Sequence, residues 1–273
     1  MEGWFILIAL LFGLPLLVFL IMRYRLRRAL AQAFPPAYLK IIRKYIPAYV
    51  HMPTALQMQL KHHIKHFLHQ KNFVGCAGLI VSDEMRIVIA AKACLLLLNR
   101  PSAVYGKLTH ILIYPSAFLV PQKQHDANGL IIEHTDTLAG QSWGDGRVLL
   151  AWDEILKNRH QIEEGHDVVL HEFAHQLDSE DGVHDGTPVL GQRAAYAEWK
   201  RIMQNEFDYL QHSAEHGEAT LIDPYGAQNP AEFFAVVTEA FFMRSTELAH
   251  FHPALYQQLH KYYRVDPREW LKL

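Results

Sequence analysis

The chain of 273 residues is half hydrophobic, with 26 Lys and Arg against 28 Asp and Glu, which excludes large-scale disorder and provides ample apolar material for a core. The near balance of charge conceals an asymmetry: ten Lys or Arg and not one acid fall between positions 23 and 82, and acids prevail beyond them. Two cysteines, Cys76 and Cys94, offer no disulfide framework and fit a reducing compartment.

From the N-terminus, residues 3–22 form an uncharged apolar run long enough to cross a hydrocarbon core of about 30 Å as one transmembrane helix. Arg23, Arg25, Arg27 and Arg28 follow, and such charge marks the side that stays in the cytoplasm. The expectation is a single-pass protein of the inner (cytoplasmic) membrane, anchored through 3–22 within a segment 1–28, with its body in the cytoplasm. A cleaved signal peptide fits less well, since no Lys or Arg precedes the run. Residues 29–53, with Pro35, Pro36, Pro47 and Pro53, read as a linker or partly helical collar. Its Lys40, Arg43 and Lys44 suit lipid headgroups, so no nucleic-acid partner is expected.

The body, 54–273, opens with a helix predicted over 54–71 and capped by Thr54. His62, His66 and His69 share one of its faces, but no carboxylate or thiolate joins them, and a solvated face is the simpler reading than a metal site. A short strand is predicted over 76–81, a core helix over 86–99, and strands over 110–114, 117–120, 129–134 and 147–152, with turn residues at 140–146. These make a small mixed sheet beside the helix that follows, with a free edge open to an extended peptide.

That helix carries the chemistry. In VVLHEFAHQLD, 168–178, apolar residues recur at helical spacing, and His171, His175 and Asp178 fall on one face with Glu172 to one side. Two imidazoles one turn apart can bind one Zn²⁺ while the neighbouring carboxylate reaches a water on it. Asp178 either orients a ligand imidazole or is a solvated helix-end acid. The helix is expected to end near 181–182 with Gly182 as C-cap, before an amphipathic helix over 191–209. The third ligand is open between two acids. Asn229, Pro230 and Glu232 stand where an N-cap, an N1 proline and an N3 acid belong, so Glu232 has a capping reading. Glu239 lies on the same helix face within an apolar run, where an acid needs a partner.

The segments VVLHEFAHQLD, DPYGAQNPAEFF (223–234), GQSWGDGRVLLAWDEI (140–155) and NFVGCAGLIVSDEMRIVIAAKACLLLL (72–98) resemble the Mlc titration factor A family of zinc metallopeptidases. That family is similar, around its active site, to the catalytic domain of anthrax lethal factor. The resemblance implies an α+β, mostly helical, zincin-like metallopeptidase domain. It implies His171, His175 and Glu232 as ligands of one Zn²⁺ per chain, Glu172 as general base and Tyr225 as active-site tyrosine. A peptide or protein substrate follows, cleaved in aminopeptidase fashion, with a transcriptional repressor as a possible partner. The alternative is a regulatory module that sequesters such a repressor, with catalysis secondary. A purely structural metal has no use for Glu172 and normally fills all four positions with protein ligands, which favours catalysis.

Overall fold

Caps and periodicity set the elements, which a computed structural model describes over residues 13–100, 104–125, 131–138, 140–143, 146–157 and 165–271, with the strands between 118 and 143 described by backbone alone. Helix α1 spans Leu14–Ala31 and α2 spans Pro36–Tyr45, followed by a 3-10 turn at Pro47–His51. Ile42, Tyr45 and Tyr49 from this stretch are buried in the main hydrophobic core.

Residues 13–22 of the expected membrane span are described, and Leu14 to Met22 lie in helix α1. The same helix runs on through Arg23, Arg25, Arg27 and Arg28. Among the described residues no helix is long and apolar enough to cross a membrane, which overturns the expected single-pass placement in the inner membrane. Residues 3–12 of the apolar run lie outside the described residues.

Helix α3, Thr54–Gln70, turns Leu56, Leu60, Ile64 and Phe67 to the core at helical spacing. Pro53 rather than Thr54 is its N-cap, with no side-chain hydrogen bond. It packs on α4, Asp83–Leu95, which starts where the Ser82 hydroxyl accepts the Met85 N–H at 3.3 Å and Asp83 and Glu84 meet the positive end of the helix. From Ile87 to Leu95 every residue of α4 is buried, so this helix is core on all sides.

Strand β1, Asn72–Gly75, ends before the stretch 76–81 that was expected to be extended. The chain turns there through Ala77 and Gly78, both at positive φ, and a side chain on Gly75 would overlap the Leu79 carbonyl. Strands β2 (His110–Tyr114) and β6 (Arg147–Ala151) run parallel to β1. Strands β3 (Phe118–His125) and β4 (Ile131–Leu138) form a separate antiparallel pair; positions 129 and 130, expected in this region to be strand, lie outside the described residues. Strand β5, Gly140–Trp143, pairs antiparallel with β6, giving a four-stranded mixed sheet in the order β1-β2-β6-β5. The turn expected over 140–146 is therefore a strand in its first four residues, while Gly144 and Asp145 lie outside the described residues.

After α5, Trp152–Lys157, comes α6, Val168–Asp178, all of whose residues are buried. It lies against β5, β6, α4 and a later helix, α8 (Pro230–Met243). Between them run the 3-10 turn Ser179–Asp181, closed by left-handed Gly182, and α7, Ala195–His216. Helices α9 (Ser245–Phe251) and α10 (Pro253–Tyr263) complete an α+β fold that is mostly helical.

Helix α6 is anchored at its start. The Asp167 carboxylate accepts the N–H groups of Val169 (3.0 Å) and Leu170 (3.2 Å) and pairs with Lys92 Nζ of α4 at 2.5 Å, both side chains being buried. Lys92→Met strands a buried carboxylate and is expected to cost about 3–5 kcal/mol in urea unfolding. Adding Asp167→Asn, which keeps an N-cap acceptor without the charge, should recover most of that loss.

Candidate metal centre

One turn of α6 separates His171 from His175, and their Nε2 atoms lie 3.2 Å apart. The first turn of α8 faces them. The Asn229 side chain accepts the Glu232 N–H at 3.0 Å and Pro230 sits in the first turn, so the N-terminus of α8 is fixed and Glu232 points back toward α6. Its Oε2 lies 3.0 Å from His171 Nε2 and 3.4 Å from His175 Nε2. Donors held about 2.0–2.1 Å from a tetrahedral cation stand about 3.3 Å from one another. Two imidazoles and a carboxylate at these separations fit a divalent cation such as zinc, with a fourth position left over.

Glu239, two turns further along α8, serves the other side of the same imidazole. Its Oε1 accepts from His171 Nδ1 at 2.7 Å, while Oε2 accepts the Asp167 backbone N–H and lies 3.1 Å from His166 Nδ1. The fold thus brings Glu232 to the two Nε2 atoms and Glu239 to the far ring nitrogen. Burial by itself would lower the pKa of His171, but its hydrogen bonds to Glu232 and Glu239 together outweigh that and hold it well above the usual histidine range. Burial likewise acts to raise Glu232 and Glu239, and the histidine hydrogen bonds overcome it, keeping both carboxyls below their ordinary range.

Glu172 lies beside this group with its Oε2 buried and without a hydrogen-bond partner. Burial pushes its carboxyl up from 4.5 to about 8. Tyr225 stands at the open side, 44% exposed, on a 3-10 turn at Pro224–Ala227. The Asp223 carboxylate accepts its N–H at 2.8 Å, and its ring centre is 6.0 Å from that of His171. Gly226 lets the turn close, because a side chain there would overlap Val236 of α8.

A family described as glucose-regulated metallo-peptidase M90 matches residues 21–264. The chain belongs to this family. It is 43% identical over 246 residues to the protein slr2042 of Synechocystis sp., covering 89% of each chain. It is 32% identical over 230 residues to proteins named Mlc titration factor A from Yersinia pestis and Yersinia pseudotuberculosis, covering 83% of this chain and 84% of theirs. A metallo-peptidase family suggests a metal ion, and among the described residues two groups have donor atoms within 4.8 Å of one another and could hold one: His171, His175 and Glu232, and His175, Asp178 and His184.

Around the His171, His175 and Glu232 group the fold adds residues that the pattern of the chain did not single out. Asp167 was visible in principle, as an acid one position before a helix. His166 and His184 carry no such signal. His184 sits in the segment after α6, its ring 5.7 Å from that of His175 and its Nδ1 3.6 Å from Asp178 Oδ2. Asp178 is fully buried, which excludes the solvated helix-end reading; its Oδ2 accepts the Gly186 N–H at 3.0 Å. Burial raises its carboxyl to about 6. Its Oδ1 and the His175 Nδ1 are both buried without hydrogen bonds, so neither candidate ligand imidazole is bonded to it. His62, His66 and His69 join no metal-competent group among the described residues.

The raised carboxyl of Glu172 makes folding of the metal-free protein take up a proton between pH 4.5 and about 8. Stability from this group therefore falls as pH rises through that window. Glu172→Gln should stabilise the metal-free protein on the order of a few kcal/mol at pH 9 and hardly at all at pH 4.5, read by urea melts at the two pH values. Gly186 has φ 75° and sits where a side chain would overlap the Pro230 carbonyl. Gly186→Ala is accordingly expected to destabilise by more than about 1 kcal/mol and to weaken metal uptake by displacing the first turn of α8.

Proposed function

We infer that this M90 chain is a zinc-dependent, zincin-like peptidase that hydrolyses peptide substrates, in aminopeptidase fashion by resemblance. The observation that carries the reading is the set of three donors, from His171, His175 and Glu232, at 3.0–3.4 Å from one another beside an unpartnered Glu172 oxygen. These three side chains would hold one Zn²⁺ per chain, and when bound it supplies Lewis acidity to a water and to the scissile carbonyl.

The remaining steps fall to the chain's own groups. Glu172 Oε2, having no other partner, accepts the proton of the attacking water and passes it to the leaving amine nitrogen. The Tyr225 hydroxyl donates to the oxyanion that develops on the carbonyl. Glu239, by accepting from His171 Nδ1, holds the ring so that Nε2 faces the space shared with Glu232 and His175, where, once deprotonated, it would bind the cation. Strand β5 pairs with β6 on one side and packs beside α6, and an extended peptide added along its other edge would pass the centre.

A second reading has support in the name Mlc titration factor A borne by the Yersinia relatives, which favours binding of a transcriptional repressor by this chain as well. The two readings separate in one series measured on full-length protein. For the peptidase, chelation abolishes turnover of aminoacyl chromogenic substrates and zinc restores it. Glu172→Gln holds zinc but turns nothing over, and Tyr225→Phe loses about 10²–10³ in kcat. Zinc uptake without turnover in wild type, together with repressor binding that Glu172→Gln leaves intact, would favour the binding module instead.

A further inference from the structure

His166 touches both the carboxylate that supports the first candidate ligand and the turn that carries Tyr225. It stands one position before Asp167, the N-cap of α6, with its side chain 43% exposed. The Asp167 N–H is bonded to Glu239 Oε2, so the chain enters the helix against that carboxylate. The His166 ring falls on the same oxygen, with Nδ1 3.1 Å from Oε2. The same nitrogen faces the residue that opens the 3-10 turn Pro224–Ala227: Asp223 Oδ2 lies 3.8 Å from it, while Asp223 Oδ1 accepts the Tyr225 N–H at 2.8 Å.

These contacts connect two parts of the centre that come from separate segments. From His166 one path runs through Glu239 to His171 Nδ1, and the other runs through Asp223 to the backbone of Tyr225. The Glu239 hydrogen bond raises the pKa of His166, burial opposes it, and the charges of Glu239 and Asp223 add to the rise. A protonated imidazole is thereby favoured between the two acids. The Glu239 side chain is 1% exposed, so its bond to His166 is shielded from water and helps to fix the angle at which it accepts from His171. The Asp223 side chain is 45% exposed, and its attraction to His166 is that of a surface ion pair. A water in place of the ring could satisfy Glu239 but would carry no charge to hold the turn.

We propose that His166 is a positioning residue that ties the Tyr225 turn to the ligand shell, acting on His171 through Glu239 and on Tyr225 through Asp223. This rests on the metal centre and peptidase reading given above. Its test compares wild type, His166→Ala, His166→Asn, Asp223→Asn and the double variant His166→Asn/Asp223→Asn as full-length protein. Zinc affinity is read by competition with a chromophoric chelator, and kcat and KM on an aminoacyl chromogenic substrate at saturating zinc. Asparagine can present an N–H where Nδ1 stands but has no charge for Asp223.

His166→Ala is expected to bind zinc about 10-fold more weakly, the low end for loss of an outer partner of a ligand. Zinc-saturated, it should also lose about two- to fivefold in kcat with KM unchanged, the worth of a half-exposed ion pair. His166→Asn should recover the zinc affinity but not the kcat. Asp223→Asn keeps an acceptor for the Tyr225 N–H, so it should show the kcat loss alone, with no further loss in the double variant. Zinc affinity in His166→Ala equal to wild type overturns the proposal, as do kcat losses that multiply in the double variant. A wild type that binds no zinc overturns the reading of the centre and this inference with it. Zinc binding without turnover in wild type overturns the peptidase reading alone, and the zinc affinities of His166→Ala and His166→Asn then decide.

Discussion

One buried carboxylate, that of Glu239, joins the two helices that build the metal centre. An acid 1% exposed among the Phe, Val and Ala side chains of α8 is sustained only if its lone pairs are taken. His171 Nδ1 takes one oxygen; the Asp167 N–H and His166 share the other. Asp167 then caps α6 and pairs with Lys92 of α4. The helix bearing both histidines is thereby tied to α8 at His171 and to α4 at its N-terminus. Hydrophobic burial supplies the bulk of the stability, but it is non-directional. The polar chain from Lys92 to His171 fixes rotation and register, which decide whether the Nε2 atoms face Glu232.

The same arrangement explains how three acids within reach of two histidines come to differ. Glu232 sits at a helix N-terminus, partly exposed, with two imidazoles against it. Glu239 is enclosed and fully hydrogen-bonded, while Glu172 is enclosed with an oxygen left over. Burial raises the carboxyl of Glu172, and paired histidines lower the other two. Environment rather than residue type separates these three carboxyls, and it is the basis of the different roles proposed for them.

Much of this was legible in the amino-acid order because it is local. The period of VVLHEFAHQLD marks α6 and Asn229-Pro230 marks the start of α8, since caps and helical faces are written within a few positions. The end of α6 was less legible: the helix stops at Asp178 with Ser179 as its C-cap, and the end expected near 181–182 is instead a 3-10 turn closed by Gly182. What was not legible depends on partners distant in the chain. Glu232 and Glu239 lie on one face of one helix, and only the placement of α6 against α8 tells them apart. Gly140–Trp143 has the composition of a turn and becomes a strand through pairing with β6. The Lys92–Asp167 pair spans separate elements and leaves no local trace. The apolar run at 3–22 read as a membrane span by hydropathy, but among the described residues no helix is long and apolar enough to cross a membrane, and Leu14 to Met22 continue in one helix with four arginines.

The most direct test of this account is the zinc affinity of Glu232→Gln and Glu239→Gln beside wild type, by competition with a chromophoric chelator. With Glu239 supporting His171 from behind, Glu239→Gln should lose about 10–100-fold in affinity, and Glu232→Gln, which removes a donor of the group itself, should lose more. A Glu232→Gln protein that binds zinc like wild type, or a larger loss in Glu239→Gln than in Glu232→Gln, would contradict it.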